Sequence, residues 1–554
     1  MQSPWLRAAL MVLVCAAIYA AGAALLGDWI IDDAGISYAY ARNLAAGHGL
    51  VSQPGRPPVE GFSNFLWVVL LTPLFLARVF DPVMVVKVLA GLLVLLSVWI
   101  LQRTLRREPG GWAPALLATA LVAGSSPIVI WTASGLENSL TLLLGVVLYD
   151  RLVWLPGRWE LQAGILTALL AMNHPENLLY IAAGLLVCCG PLLMRRESIA
   201  EAARHVGRYV AGFALLFSPF MAFRLATFGL PFPHTYYAKR RFPDAWASLA
   251  ALFRHPADTA RKLLDLLQGI AGPLGLVAMI VTAAAALHLL RRRTVDRTFG
   301  VALAIQAVAI GAYLWMDEDW MGEYRFATLA TAFSLVSFVI AGFSILARPS
   351  GRGRLLVTAA YTGAAAFLLA RGARRIVDFA QAPPAPFAEM ARQHAFKFNV
   401  YADVLGLRHA SLLLPDIGAA LVYSDLTVYD AAGLCEPDVV RTLKGGTIYW
   451  LDHHPAFYDW VFETVRPTFI NTHDFFTHVT ALERDPRFAR DYAAVNEYRD
   501  EYVARMYGWA AHSGDYVRRD ALRSPADLEA LRRSYEPLPP LRPPFEVLRA
   551  RYPF

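Results

Sequence analysis

The chain is 554 residues long, with 56% apolar residues, 17% charged residues and a formal charge of +7. A soluble domain carries roughly 45–50% apolar and about 25% charged residues. With a mean hydropathy of +0.41, the excess describes a polytopic α-helical membrane protein and excludes disorder, collagen and a disulfide scaffold. The positive charge requires no nucleic acid, because cytoplasmic loops of membrane proteins collect Lys and Arg. Cys15, Cys188 and Cys189 fall in apolar runs and only Cys435 lies elsewhere, which leaves no obvious disulfide pair.

Apolar runs long enough to cross about 30 Å of hydrocarbon are predicted at 8–27, 83–101, 112–132, 138–155, 160–172, 178–194, 208–225, 264–290, 299–315, 327–347 and 355–370. These give about eleven spans, of which 160–172 and 355–370 are short. Arg7 with the small residues Ala21 to Ala24 would also fit a cleaved signal peptide, but no clear cleavage site precedes Asp28. Arginine clusters at Arg103, Arg106 and Arg107, at Arg195, Arg196, Arg204 and Arg208, at Arg291, Arg292, Arg293 and Arg297, and at Arg348, Arg352 and Arg354 mark alternate loops as cytoplasmic. The loops 28–61, 226–263 and 316–326 and the tail from 371 are then expected outside. For that alternation to hold, the apolar run 62–80, which contains Pro73, must be re-entrant or interfacial.

The organisation expected is a transmembrane catalytic domain over 1–370 and an extracytoplasmic mixed α/β domain over 371–554. Ala-Pro-Pro-Ala-Pro at 382–386 reads as a linker. Runs at Ser411–Pro415, Leu421–Tyr423, Leu426–Tyr429 and Thr468–Ile470 look like strands between helix-like stretches. The Pro-rich end, Pro537 to Pro544, is expected to be extended.

The expected outer loops hold most of the chemically interesting residues. The first carries Asp32 and Asp33 just past a span end, with Arg42, His48 and Glu60 beyond. Two adjacent carboxylates there are costly unless hydrated or paired. Ile36, Tyr40 and Leu44 share a helical stripe, so Asp33 could simply cap an interfacial helix, but one acid would suffice for that. Arg42 could pair with either acid or serve a phosphate. Further clusters follow at Ser134 to Glu137, at His174 and Glu176, at His234, Tyr236, Tyr237, Lys239 and Arg240, and at Asp317, Glu318, Asp319, Trp320, Glu323 and Arg325. Any one of them reads better as a solvated loop; together on one face they point to an outward-opening polar cavity.

These residue types suit sugar transfer from a lipid phosphate. A carboxylate can deprotonate the acceptor hydroxyl, carboxylates stabilise oxocarbenium character, and Lys, Arg or a metal can meet the charge on the leaving phosphate. Asp32 and Asp33 suit the first role, Lys239, Arg240 and Arg325 the last, and Trp320, Tyr236 and Tyr237 offer faces for a sugar ring. The sequence contains no phosphate-binding G-x-x-x-x-G-K-[ST], no H-E-x-x-H and no C-x-x-C. Asp452 with His453 and His454 could ligate a metal, although adjacent histidines are more often surface residues. No cofactor is assigned, and a divalent cation is left open.

Asp32-Asp33-Ala34, Tyr40-Ala41-Arg42-Asn43-Leu44, Gly47-His48-Gly49-Leu50, Pro54-Gly55 and the run from Val59 to Trp67 resemble the mycobacterial-type arabinofuranosyltransferase B family. The resemblance continues through Ser134 to Glu137, Pro233 to Lys239, Asp319 to Met321 with Arg325-Phe326, Leu414 to Gly418 and Asp430 to Leu434. It implies a GT-C glycosyltransferase fold in the plasma membrane and inverting transfer of arabinofuranose from a polyprenyl-phosphate donor to a cell-envelope glycan on the outer face. By the same resemblance, Asp32 or Asp33 is the base, and Arg42, Glu60, Glu137, His174, Glu176, His234, Tyr237, Lys239, Arg240, Asp319, Trp320 and Arg325 are expected around the substrates. The chain departs from the family pattern at Asp317-Glu318, His174 and His234, which bears on sugar and acceptor more than on reaction class. The alternatives are transfer of another sugar or to a lipid acceptor, a lipid-linked sugar transporter, and a glycan-binding tail on a membrane anchor. A transporter would place its ionisable groups within spans and show repeated halves, and an anchor needs far fewer helices.

Overall fold

The computed structural model describes the chain except residues 1–3, 107–110, 155–158, 194–197, 240–244, 292–295, 317–318, 347–351, 443–454 and 535–554. Arg107, Arg195, Arg196, Arg240, Arg292, Arg293, Asp317, Glu318, Arg348, Asp452, His453, His454 and Pro537 to Pro544 therefore lie outside the described residues. Two compact units emerge, and neither is a single stretch of chain. The first comprises Met1–Asp28, Val83–Phe223 and Asp244–Pro384; the second comprises Trp29–Pro82, Arg224–Pro243 and Ala385–Phe554.

The first unit is helical. Among the described residues, seven helices are long and apolar enough to cross a membrane: Trp5–Leu25, Met84–Leu105, Pro175–Leu192, Ile199–Phe228, Leu274–Arg291, Arg297–Trp315 and Arg325–Phe343. The last turn of Ile199–Phe228, from Arg224 onward, belongs to the second unit. Trp112–Gly124 and Ser126–Thr132 are long and apolar enough only when taken together, across a 57° bend, where Pro127 opens the second piece. Asn138–Val153 and Trp159–Asn173 are helices of 16 and 15 residues. The run expected at 355–370 lies in a 30-residue helix, Arg352–Gln381.

The single span expected at 264–290 is two helices, Pro256–Ala271 and Leu274–Arg291. Gly272, at φ +58°, ends the first in a conformation that suits glycine, and Pro273 cannot extend it. Buried charge in the bundle is paired. Asp150 accepts from Arg103 at 2.8 Å and from Thr104 at 2.7 Å, which ties Asn138–Val153 to Met84–Leu105.

The second unit contains a five-stranded sheet: β1 Ser411–Leu414, β2 Thr427–Asp430, β3 Phe469–Thr472, β4 Tyr492–Arg499 and β5 His512–Arg518, in the order β2-β1-β3-β5-β4. β1 is parallel to both β2 and β3, while β5 runs antiparallel to β3 and β4. Leu413, Val461, Ile470, Phe457, Trp460 and Tyr516 pack its core. Leu421–Tyr423, expected as a strand, belongs instead to the helix Gly418–Tyr423 that connects β1 to β2. Parallel neighbours need such a crossover.

The chain from Trp29 to Pro82 also belongs to this unit. Its helix Ala34–Ala45 is not the surface stripe expected from Ile36, Tyr40 and Leu44, because Tyr38, Ala39 and Asn43 are buried as well. The apolar run 62–80 yields the helix Phe65–Leu76, 12 residues. At 1.5 Å per residue it is about 18 Å long, short of the ~30 Å of a hydrocarbon core.

Candidate active site

Two polar clusters hold most of the residues singled out from the sequence. The first is built in the second unit around the start of Ala34–Ala45. The backbone there is pinned to the beginning of the tail, since Phe387 N–H donates to Ile30 at 2.8 Å and Asp32 N–H to Ala385 at 3.0 Å. Asp32 is buried, and both its carboxylate oxygens accept backbone amides, from Gly418 at 2.9 Å and Ala419 at 2.8 Å. The approach is so close that a Cβ on Gly418 would lie 1.9 Å from the Asp32 carbonyl oxygen, and one on Gly35 would lie 2.4 Å from the Gly418 backbone. Burial, reinforced by the nearby Asp416 and Asp33, pushes the Asp32 carboxyl well above the usual carboxylate range.

Asp33 behaves differently. It occupies the cap position of Ala34–Ala45 without a side-chain capping bond, and its partly exposed carboxylate lies 3.6 Å from the Lys239 ammonium. Lys239 ends the short helix His234–Lys239. Tyr236 and Tyr237 precede it on that helix with ring centroids 5.3 Å apart.

Other expected substrate residues of this unit have structural partners. Arg42 donates to the carbonyls of Val422 at 2.7 Å and Leu421 at 2.9 Å, clasping the end of Gly418–Tyr423. Glu60 is buried against Arg224 at 2.8 Å, and its carbonyl accepts from His234 N–H at 3.0 Å. Burial pushes the Glu60 carboxyl up to about 7 even though Arg224 pulls it down.

Beyond Asp32, the second unit gathers residues to which the sequence reading gave no role. Asp416 and His473 lie just past the carboxyl ends of the parallel neighbours β1 and β3, the end of a parallel sheet where ligands bind. His473 Nε2 is 2.9 Å from Asp416 and His473 Nδ1 is 3.1 Å from Asn471 Oδ1. His394 stacks on His473 with centroids 5.3 Å apart. Burial would raise the Asp416 carboxyl, yet the bond from His473 holds it below its ordinary value. Burial likewise opposes the charge on His473, but Asp416 raises it above the ordinary imidazole value. Asp416 stood within the resembling segment Leu414 to Gly418; the polar residues following short apolar strands were the signal that could have marked it and His473.

The second cluster lies in the first unit. Arg325 is buried, 3.1 Å from Asp319 and 3.8 Å from Glu137. Asn138 donates to the Arg325 carbonyl at 2.9 Å, and Phe326 lies 5.1 Å from the guanidinium. His174 is hydrogen-bonded to Glu176, and its ring is 5.4 Å from Phe326. Trp320 is exposed. Gly322, Glu323 and Tyr324 take φ of +70°, +44° and +57°. Consecutive non-glycine residues in that region are strained, as is common where a loop serves a site, and the turn is held by Arg375 on Glu323 at 2.7 Å and by Trp131 on the Glu323 carbonyl at 2.8 Å. A crevice in the same unit is lined by Leu267, Ile270, Leu274, Gln306 and Phe338 and by none of these polar residues.

No protein-family model matches the chain. No curated protein matches it either. Solved structures do. The crystal structure of ArnT from Cupriavidus metallidurans bound to undecaprenyl phosphate superposes with a TM-score of 0.51 at 10% identity, covering 81% of this chain and 90% of that one. ArnT in the apo state gives a TM-score of 0.52 at 12% identity, over 85% and 94% of the two chains. The chain therefore has an ArnT-like GT-C fold, as the resemblance implied, in a multi-pass membrane protein with a small mixed sheet in its C-terminal region.

Proposed function

We propose that the protein is a GT-C glycosyltransferase that moves a sugar from a polyprenyl phosphate to an acceptor hydroxyl, with Asp33 as the general base. The observation that carries the reading is the contrast between Asp32, both of whose oxygens accept backbone amides and which is buried, and Asp33, which is partly exposed and lies 3.6 Å from the Lys239 ammonium. Asp33 takes the acceptor proton as the acceptor oxygen forms its bond to the anomeric carbon. The bond from that carbon to the phosphate oxygen breaks, with inversion, and the polyprenyl phosphate leaves with its electron pair. Lys239, 3.6 Å from Asp33, meets the phosphate charge as it develops. Lys239 suits the phosphate better than Arg325, whose charge is already met by two acids.

Undecaprenyl phosphate bound to ArnT supports a lipid-phosphate donor. Arabinofuranose and a cell-envelope glycan are the donor sugar and acceptor we favour, on the motif series from Asp32 to Leu434. The loops carrying Asp33 and Lys239 are assigned to the extracytoplasmic side. With native cysteines removed, His48→Cys and Ser524→Cys, both at exposed positions, should react with an impermeant thiol reagent in intact cells.

The test is a transfer assay with the full chain in lipid nanodiscs, offering polyprenyl-phosphate arabinofuranose and a polyprenyl-phosphate hexose with an arabinan oligosaccharide, read by mass spectrometry. Sugar addition from either donor is expected, and from the arabinofuranose donor first. Absence of transfer from both, combined with movement of a labelled lipid-linked sugar across vesicles, would replace the reading with transport.

A further inference from the structure

We propose that His394, Asp416 and His473 bind a divalent transition-metal ion, with Zn2+ the best match to their donors. The ligand atoms these three offer all lie within 4.8 Å of one another. Metal–ligand bonds of about 2.0–2.2 Å in a tetrahedron place donor atoms roughly 3.4 Å apart, so closure draws the wider separations in and lets the 2.9 Å His473–Asp416 contact lengthen. Two imidazoles and one carboxylate, with a position left over, form a set that zinc and related divalent ions accept.

The hydrogen bonding around His473 makes the case specific. Asn471 Nδ2 donates to Asp515 at 2.8 Å, which turns Asn471 Oδ1 toward His473. His473 Nδ1 must then carry a hydrogen, and its other nitrogen, Nε2, faces a carboxylate oxygen of Asp416 at 2.9 Å. A lone pair facing a carboxylate at that distance is repulsive unless a second proton or a cation lies between them. Fixing the remote nitrogen of a ligating histidine on an amide or carbonyl oxygen is what metal sites do. Lys397, paired with Asp515 at 2.6 Å, completes this outer layer.

His394 supplies the independent observation. It is 3% exposed, and its Nδ1 is buried without a hydrogen-bond partner. A polar ring nitrogen placed so is costly, and a metal in the triad gives this histidine a reason to be there. The sequence had directed attention to Asp452, His453 and His454 instead.

The inference does not depend on the transfer reading, because its measurement is binding. The full chain, purified in detergent and stripped with chelator, is titrated with Zn2+ by equilibrium dialysis and with Co2+ by visible absorption. About one ion per chain is expected, with the intense bands of a low-coordinate cobalt site. His394→Ala and Asp416→Asn should each weaken Zn2+ binding about 100-fold or more, and Asn471→Leu about 10-fold through the outer layer. A His453→Ala/His454→Ala variant should bind as the parent does. Gel filtration and thermal scans of the metal-stripped variants distinguish loss of a ligand from loss of the fold, and the cobalt spectrum of the unmodified chain requires no variant. Zinc uptake equal in the parent and in a His394→Ala/His473→Ala variant would overturn the site and leave Asp416 and His473 as an ion pair. So would loss of the ion in the His453/His454 variant.

Discussion

The two units hold their charges in opposite ways. In the first, a cation is fixed by acids: Arg325 is buried with Asp319 and Glu137 around its guanidinium. In the second, an acid is fixed by backbone, since Asp32 takes the amides of Gly418 and Ala419, while its neighbour Asp33 lies 3.6 Å from Lys239. An acid buried on two amides is closed to an acceptor hydroxyl, whereas a partly exposed one beside an ammonium can be reached by it. The second arrangement suits proton transfer and the first suits positioning.

The sharpest way to break that comparison is to exchange the roles of the adjacent acids. Asp33→Asn keeps shape but removes the base, and loss of a general base costs about 10²–10⁴-fold in rate. Transfer should fall by that factor while thermal stability and donor binding stay close to the parent. Asp32→Asn should act chiefly on stability, because an amide can accept from only one of the two backbone donors it faces. A purified assay in which Asp32→Asn folds normally and loses turnover, while Asp33→Asn is active, would reverse the assignment.

In the first unit the expected effect is on folding. Arg325→Ala leaves two buried acids without their counter-charge, and removing one partner of a buried pair costs about 3–5 kcal/mol. Thermal unfolding in detergent should show a large loss, and adding Glu137→Gln and Asp319→Asn should recover most of it. If the triple variant were no better than Arg325→Ala, the guanidinium would be acting through something other than these acids.

Hydropathy and the ordered motifs made the GT-C class legible, because span length and loop chemistry are written locally. The adjacent acids at 32 and 33 stood out for the same reason, but their different surroundings did not. These depend on Gly418 and Ala419, hundreds of positions away, coming close enough that only a glycine fits at 418. Arg42 and Glu60 looked like substrate residues because a charge in a loop carries no mark of its partner; Val422 and Arg224 supply those partners. Three apolar residues at 421–423 have no period to separate strand from helix. The helix end at Gly272 and the triad of His394, Asp416 and His473 are tertiary facts, and the triad escapes any motif because its members come from separate elements.

The smallest predicted effect tests how the second unit is held rather than what it does. Glu60 is buried beside Arg224, and burial places its carboxyl at about 7, above the 4.5 of an exposed glutamate. The folded chain then binds a proton that the unfolded chain has released between those two values. Stability from this group is therefore fully present below about 4.5, declines as the pH rises toward 7, and levels off above it. Arg224 limits the decline, since it favours the carboxylate, so the change should amount to a few degrees in Tm across that window. Glu60→Gln removes the titration but keeps the contact with His234 N–H, which is made through the backbone carbonyl. The difference in Tm between parent and Glu60→Gln, scanned from pH 5 to pH 8, should shift in favour of the variant as the pH rises. A difference that stays constant with pH would mean that Glu60 is ionised throughout and that its pairing with Arg224 outweighs its burial.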